Sequence, residues 1–121
     1  MSELRESQML FASLLPRLLD EAIRYARQHG LELAIGEIWR SHEEALRLDN
    51  LGLGSMNSLH CDRLAVDLIL REHDGAMLSE TKDYEPLGVF WESLGPRCRW
   101  GGRWTHRQDG DHFSLATGGR E

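Results

Sequence analysis

Cysteine is scarce in this 121-residue sequence, which contains only Cys61 and Cys98. Two cysteines can form at most one disulfide bond, so the sequence is not that of a small secreted scaffold held together by several disulfides. We therefore expect two reduced thiols, and we expect both to be structural thiols instead of metal ligands.

Long apolar runs are also missing, since no window approaches the roughly 20 consecutive apolar residues that cross a bilayer. The apolar stretch from Met9 to Leu19 is interrupted by Ser13, Pro16 and Arg17, and it follows an acidic opening segment. A signal peptide would have a basic segment there. The sequence therefore predicts a cytoplasmic product with no membrane partner.

Positive charge is in deficit, because 14 Lys and Arg residues stand against 20 Asp and Glu residues and give a net charge of −6. Proteins that bind nucleic acids mainly through phosphate contacts have the opposite balance, so a nucleic-acid partner is disfavoured. The composition, with 40% hydrophobic and 28% charged residues, is typical of a globular protein. The length predicts one domain over residues 1–121.

The order of apolar patterns and turn residues predicts an α+β fold. Residues 3–29 have helical spacing, which predicts a short helix ending near Leu14 or Leu15 and a second helix that begins at Pro16 and is stopped by Gly30. The elements predicted after them are a strand over 32–39 with Gly36 as a candidate bulge, a helix from Ser41 to Asp49, a loop over 50–57, a strand over 64–70, a return strand beginning at Met77, a helix over 83–94 and a final strand within 112–116. Pro16 divides the first helical pattern, because proline lacks the N–H that a helix interior needs. Ser41 and Glu44 match the spacing of a capping box.

Asp67 is an anomaly within the apolar strand over 64–70. Burying a carboxylate is costly unless a cation, a metal ion or several hydrogen-bond donors compensate it. An internal salt bridge or a solvent-facing position is the alternative explanation. His60 lies seven residues earlier, where the preceding loop meets this strand, and the pair indicates a site more strongly than either residue alone.

A second cluster of polar residues runs from Asp109 to Ser114 and reads Asp-Gly-Asp-His-Phe-Ser. The Asp-Gly turn leads into a strand whose alternation places Phe113 inward and exposes His112 on the other side. Two imidazoles and one carboxylate form an open zinc site, in which the fourth coordination position stays free. Asp109, three residues before His112, is then a candidate general base.

Three segments resemble motifs of one family of zinc peptidases. The run from Ser58 to Asp67 has the pattern Ser-x-His-x6-Asp, the run from Trp100 to Arg103 reads Trp-Gly-Gly-Arg, and the Asp-x-x-His-Phe segment begins at Asp109. The family includes D-alanyl-D-alanine carboxypeptidases and phage L-alanyl-D-glutamate endolysins, and it shares a fold with the Hedgehog amino-terminal domain. Trp39-Arg40-Ser41 resembles the arginine segment that precedes these motifs, and the resemblance extends from about Leu15 to Leu115.

The resemblance implies a role for each matching residue. The implied zinc ligands are His60, Asp67 and His112, the implied general base is Asp109, and the implied substrate-binding residues are Arg40 and Ser58. Arg40 would steady a carbonyl or carboxylate oxygen of the substrate and so also act in catalysis. Many relatives carry glutamate as the base, and the shorter aspartate here resembles the endolysin branch more. Asp111 and His106 are weaker metal candidates, and His106 is more typical of a solvated loop.

The resemblance also implies a small domain in which helices flank an antiparallel sheet. The implied function is a zinc-dependent peptidase that cleaves the peptide stem of bacterial peptidoglycan, and we expect it to be a monomer. The compact length, the Asp-x-x-His motif and the lack of an export signal favour the L-alanyl-D-glutamate bond and a cytoplasmic protein that is later released to the cell wall. The alternatives are a D-alanyl-D-alanine carboxypeptidase and a catalytically silent binding module with the same fold.

Overall fold

The computed structural model describes residues 2–121, and over this range the chain forms three α-helices, two 3₁₀ helices and four β-strands. In chain order the elements are α1 (Glu3–Gln28), β1 (Glu32–Ile35), α2 (His42–Asn50), the first 3₁₀ helix (Leu59–Asp62), β2 (Ala65–Arg71), α3 (Thr81–Ser93), β3 (Cys98–Trp100), the second 3₁₀ helix (Gly101–Arg103) and β4 (His112–Leu115). The predicted α+β class is confirmed. None of the helices within the described residues combines the length and the apolar character that a membrane span requires.

The four strands form one antiparallel sheet in the order β1-β2-β4-β3. The two central strands, β2 and β4, come from distant parts of the chain, and their register places Asp67 directly opposite His112. The two motifs that were singled out in the sequence therefore meet in the middle of the sheet.

Helices α1 and α3 pack against each other and against the sheet. The buried apolar residues of these elements form a common core, which includes Phe11, Leu18, Leu68, Leu70, Tyr84, Leu87, Trp91, Trp100, Phe113 and Leu115. Side chains alternate between the two faces of a strand. Asp67 and His112 therefore lie on the face opposite to that of their core neighbours Leu68 and Phe113.

The predicted break at Pro16 is wrong, because α1 is continuous through this residue. Pro16 is exposed, whereas Phe11, Leu18 and Ala22 are buried on another side of the helix. The proline removes one backbone hydrogen bond on the solvent side. Burial of the apolar face against the core outweighs this local cost.

Strand β1 is shorter than predicted, since it ends at Ile35 instead of continuing to Trp39. Beyond it, the Gly36 N–H donates to the Asp67 carbonyl at 2.8 Å, and the Asp67 N–H donates to the Glu37 carbonyl at 2.9 Å. Two residues, Gly36 and Glu37, thus oppose the single residue Asp67, which is the arrangement of a β-bulge. The predicted bulge at Gly36 agrees with these hydrogen bonds.

The segment after β2 also differs from the prediction. Met77 makes only an isolated bridge to Arg71, so no return strand forms there. The chain instead closes a tight turn, in which the Glu72 N–H donates to the Ala76 carbonyl, and then enters α3. Strand β3, which the sequence pattern did not predict, occupies the sheet edge beside β4.

Helix α2 begins after Ser41, where the capping residue was predicted. Ser41 is the N-cap, and its Oγ accepts a hydrogen bond from the Glu44 N–H at 3.0 Å. The helix ends at Asn50, and the segment up to Ser58 contains no helix or strand. This segment forms one wall of the cleft described below.

Candidate metal centre and cleft

Asp67 and His112 face each other across the central strand pair. Opposed residues of antiparallel strands have closely spaced side chains, and Nδ1 of His112 lies 3.4 Å from Oδ1 of Asp67. The predicted exposure of His112 is wrong, since the residue is 5% exposed. Its imidazole is covered by the ring of Trp104, whose centroid lies 4.7 Å away.

His60 reaches the same point from the first 3₁₀ helix. Ser58 caps this short helix, and its Oγ accepts a hydrogen bond from the His60 N–H at 3.2 Å. The helix stops at Arg63, whose φ of 61° turns the chain into β2. Nε2 of His60 consequently lies 3.2 Å from Oδ1 of Asp67. Ser58 therefore positions His60. This predicted substrate-binding residue also lines the cleft described below.

His60, Asp67 and His112 are arranged as ligands of one metal ion would be. Donor atoms about 2.0–2.1 Å from a tetrahedral zinc ion lie about 3.3 Å from one another, and the two distances to Oδ1 of Asp67 are 3.2 and 3.4 Å. One donor atom from each of the three residues lies within 4.8 Å of the others. Oδ1 of Asp67 is buried and has no hydrogen-bond partner within residues 2–121. This donor set and spacing fit a zinc ion.

The surroundings of Asp67 favour its charged form. Burial raises the pKa of this carboxyl, but the contacts with the imidazoles of His112 and His60 outweigh that effect and lower the pKa to about 2. Metal ligation requires a deprotonated carboxylate. Asp67 is therefore prepared for that role at neutral pH.

Asp109 lies in the loop that leads into β4, and the second 3₁₀ helix positions this loop. The Asp109 N–H donates to the Gly101 carbonyl at 3.0 Å, and the His112 N–H donates to the Asp109 carbonyl at 3.1 Å. A Cβ atom on Gly101 would collide with the Asp109 carbonyl oxygen. The Trp-Gly-Gly motif thus lets the Asp109 loop approach closely.

Asp111 adds a third carboxyl beside the candidate metal ligands. One carboxylate oxygen from each of Asp67, Asp109 and Asp111 lies within 4.8 Å of the others. Burial raises the pKa of Asp111 to about 8, and the contact with Asp109 and the charges of Asp109 and Asp67 act in the same direction. Asp111 thus resists ionisation near neutral pH.

Arg40 lies at the side of the same cleft, in the segment that follows the bulge. Its Nη2 lies 2.6 Å from Oε1 of Glu37, and the Arg40 side chain is 15% exposed. The backbone N–H of Arg40 donates to the His60 carbonyl at 3.3 Å. The structure therefore places the predicted substrate-binding arginine next to the predicted metal ligands.

The candidate metal ligands and Arg40 line a cleft of about 500 Å³. The predicted site residues that line it are Arg40, Ser58, His60, Asp67, Asp109 and His112. His106 is exposed in its loop, as predicted, but it also lines the cleft. The described part of the chain thus brings every predicted site residue to one depression.

Sequence comparison identifies the family of this chain. The family model described as D-alanyl-D-alanine carboxypeptidase matches residues 52–115, slightly more than half of the 121 residues. The chain belongs to this family. The matched segment contains His60, Asp67, Asp109 and His112, whereas Arg40 precedes it.

A solved structure supports the same relationship. The crystal structure of the Serratia marcescens L-Ala D-Glu endopeptidase ChiX is similar to this fold, with a TM-score of 0.61 and 25% sequence identity. The similarity covers 84% of this chain and 79% of the ChiX chain. A comparison with curated protein sequences gives no match.

Several residues in or beside the cleft were not predicted from the sequence. Glu37 contacts both Arg40 and His60, and Arg107 and Arg120 add cationic groups to the cleft lining. The three-residue spacing between Glu37 and Arg40 was the available signal for that ion pair. Arg107 and Arg120 carry no local signal, because they reach the cleft through contacts with distant residues, Gly52 in one case and Asp62 in the other.

The two cysteines lie apart from the donor group. Sγ of Cys61 lies 3.8 Å from the Ser41 carbonyl oxygen, and Cys98 is buried in the core. Burial raises the pKa of both thiols, which disfavours the thiolate that binds metals. Their predicted structural role is consistent with these positions.

Proposed function

We propose that this chain is a zinc-dependent peptidase that cleaves the peptide stem of bacterial peptidoglycan at the L-alanyl-D-glutamate bond. The observation that carries the proposal is the convergence of His60, Asp67 and His112 on one point in an open cleft, with Asp109 beside them. Membership of the peptidase family and the similarity to the ChiX endopeptidase support the substrate class.

In this proposal each candidate site residue has a distinct role. His60, Asp67 and His112 hold the ion, which when bound polarises a carbonyl group and lowers the pKa of water. Asp109 accepts a proton from the attacking water and delivers it to the departing amine, a contribution of about 10²- to 10⁴-fold in rate.

Arg40 interacts with the substrate oxygen that becomes more negative during the reaction. Its Nη2 is held by Glu37, and its Nε is buried and has no hydrogen-bond partner in the part of the chain that the structure describes. A guanidinium has five N–H donors, so an arginine that is held by one carboxylate retains donors for a substrate. The ion pair orients Arg40 without using up its donors.

Digestion of purified peptidoglycan, followed by mass spectrometry of the fragments, tests both the activity and the bond. We expect fragments with a new L-alanine carboxyl end and a new D-glutamate amino end. Release of free D-alanine from pentapeptide stems, without an internal cut, would instead assign carboxypeptidase activity, which the family description also names. A zinc-loaded protein that leaves peptidoglycan uncut would favour the silent binding module.

A further inference from the structure

Glu37 occupies a position between the candidate metal ligands and the candidate substrate arginine. It follows β1 in the bulge opposite Asp67, and its side chain is 31% exposed. Bulges redirect side chains and are frequent beside active sites.

The backbone holds Glu37 in register with two of the candidate ligands. The Glu37 carbonyl accepts a hydrogen bond from the Asp67 N–H at 2.9 Å, and three residues later the Arg40 N–H donates to the His60 carbonyl at 3.3 Å. The two segments can approach closely because Gly36 has no side chain. A Cβ atom at this position would lie only 3.2 Å from Cβ of Asp67. The location of Glu37 thus follows from the sheet and does not depend on a flexible loop.

The carboxylate of Glu37 faces the outer nitrogen of His60. Nε2 of His60 points toward Asp67, whereas Nδ1 lies 3.5 Å from Oε1 of Glu37. Both atoms are buried, and Nδ1 of His60 has no hydrogen-bond partner among the described residues. A histidine that binds a metal through Nε2 carries its proton on Nδ1, and a carboxylate that accepts this proton fixes the tautomer and the ring orientation.

The same oxygen of Glu37 also holds Arg40, at 2.6 Å from Nη2. The other candidate ligand histidine lacks an equivalent, because Nε2 of His112 has no hydrogen-bond partner among the described residues. Glu37 is therefore placed to orient two functional side chains at once.

We propose that Glu37 is a positioning residue that orients His60 toward the metal ion and Arg40 toward the substrate. The part of this inference that concerns Arg40 and the substrate rests on the proposed function, whereas the part that concerns the metal ion rests on the contact between Glu37 and His60. Loss of such a carboxylate partner lowers metal affinity by about 10- to 100-fold in other metal sites.

The test compares Glu37→Ala and Glu37→Gln with Glu44→Gln as the matched control. Glu44 forms an ion pair with Arg47 at the same three-residue spacing, but on the exposed surface of α2. Zinc affinity is measured by chelator competition, and the visible spectrum of the cobalt(II)-substituted protein reports the ligand field. Thermal unfolding of the metal-free proteins shows whether each variant folds.

We expect Glu37→Ala to bind zinc about 10- to 100-fold more weakly and to alter the cobalt spectrum. Glu37→Gln, whose amide oxygen still accepts a hydrogen bond, should lose less zinc affinity. It should lower kcat more than it raises KM, because Arg40 loses its charged partner and acts on an oxygen that gains charge in the transition state. Glu44→Gln should match the unmodified protein in every readout. The proposal is overturned if Glu37→Ala folds, binds zinc with an affinity within twofold of that of the unmodified protein and has an unchanged cobalt spectrum.

The metal readouts separate this inference from the proposed function. If the protein cleaves no peptidoglycan but Glu37→Ala weakens zinc binding, the peptidase proposal is wrong and the role of Glu37 toward His60 stands. If cleavage is intact and neither Glu37 variant changes zinc affinity, KM or the cobalt spectrum, the role of Glu37 is wrong and the peptidase proposal stands.

Discussion

The carboxylate of Asp67 is the centre of the donor group, since both imidazoles lie within 3.4 Å of its Oδ1. We predict that Asp67→Ala and His112→Ala each lose most of the bound zinc, because two remaining donors bind the ion far more weakly. Elemental analysis of the purified variants measures this. His106→Ala is the matched control, since His106 lines the same cleft outside the donor group. Stoichiometric zinc in both ligand variants would contradict the assignment.

Asp109 lies beside the donor group without belonging to it. We predict that Asp109→Asn keeps its zinc and its fold but loses about 10²- to 10⁴-fold in kcat, because the amide cannot accept the proton. Peptidoglycan turnover, together with zinc content, measures the two effects separately. A variant with a near-native rate would remove Asp109 from the mechanism.

The raised pKa of Asp111, about 8, has a consequence for stability. The folded protein binds this proton more tightly than the unfolded chain, in which an aspartate has a pKa near 3.9. This contribution to stability is therefore complete below about pH 4 and is lost as the pH rises toward 8. Asp109 and Asp67 are the charged groups that face Asp111.

We predict that Asp111→Asn is more stable than the unmodified protein at pH 8 and above, and that this difference shrinks toward pH 4. Urea unfolding measures this difference in stability. The proteins are kept metal-free because a bound cation would itself change the pKa of nearby carboxyls. Asp49→Asn, at an exposed position of α2, is the control. Parallel stability curves for Asp111→Asn and the unmodified protein would show that the shift is absent.

At the scale of the elements, helix α1 contains a proline that its packing tolerates. We predict that Pro16→Ala raises the free energy of unfolding by about 1 to 3 kcal/mol, because alanine restores a backbone hydrogen bond and has the higher helix propensity. Pro16 is exposed, so the change removes no core contact. Urea unfolding measures the gain, and Arg17→Ala at the next exposed position is the control. A loss of stability in Pro16→Ala would mean that the proline shapes the helix for packing.

The bulge after β1 shows how one irregular element serves the site. A regular continuation of the strand would pair one residue with Asp67, whereas the bulge opposes it with two, Gly36 and Glu37. The extra residue shifts the following segment by one position. With this shift, the Glu37 side chain lies beside His60 and the Arg40 N–H donates to the His60 carbonyl.

For the whole molecule, the candidate ligands come from three separate elements: the first 3₁₀ helix, β2 and β4. We predict that zinc stabilises the folded chain by about 2.7 to 4.1 kcal/mol when its free concentration is 100 to 1,000 times its Kd, because the unfolded chain does not assemble the donors. Thermal unfolding with zinc and after chelation measures the difference. Asp67→Ala should show no such difference, and an equal zinc effect in that variant would place the ion elsewhere.

The sequence by itself determined the features that depend on neighbouring residues. The apolar alternation of β2 identified Asp67 as an anomaly, and the Ser41 cap and the Gly36 bulge follow from local backbone chemistry. The family motifs contributed the expected ligand set, because their spacing is preserved in the chain. These signals are local, so they survive without knowledge of the packing.

Tertiary structure decided the features that depend on contacts between distant residues. Packing of the apolar face of α1 overrode the local cost of Pro16, and the ring of Trp104 buried the histidine that strand alternation had placed in solvent. The contact of Glu37 with His60 and the closeness of Asp111 to Asp109 arise only in the folded sheet. A side chain's burial and charged neighbours follow from the fold, because they are set by residues that are far apart in the chain and close in space.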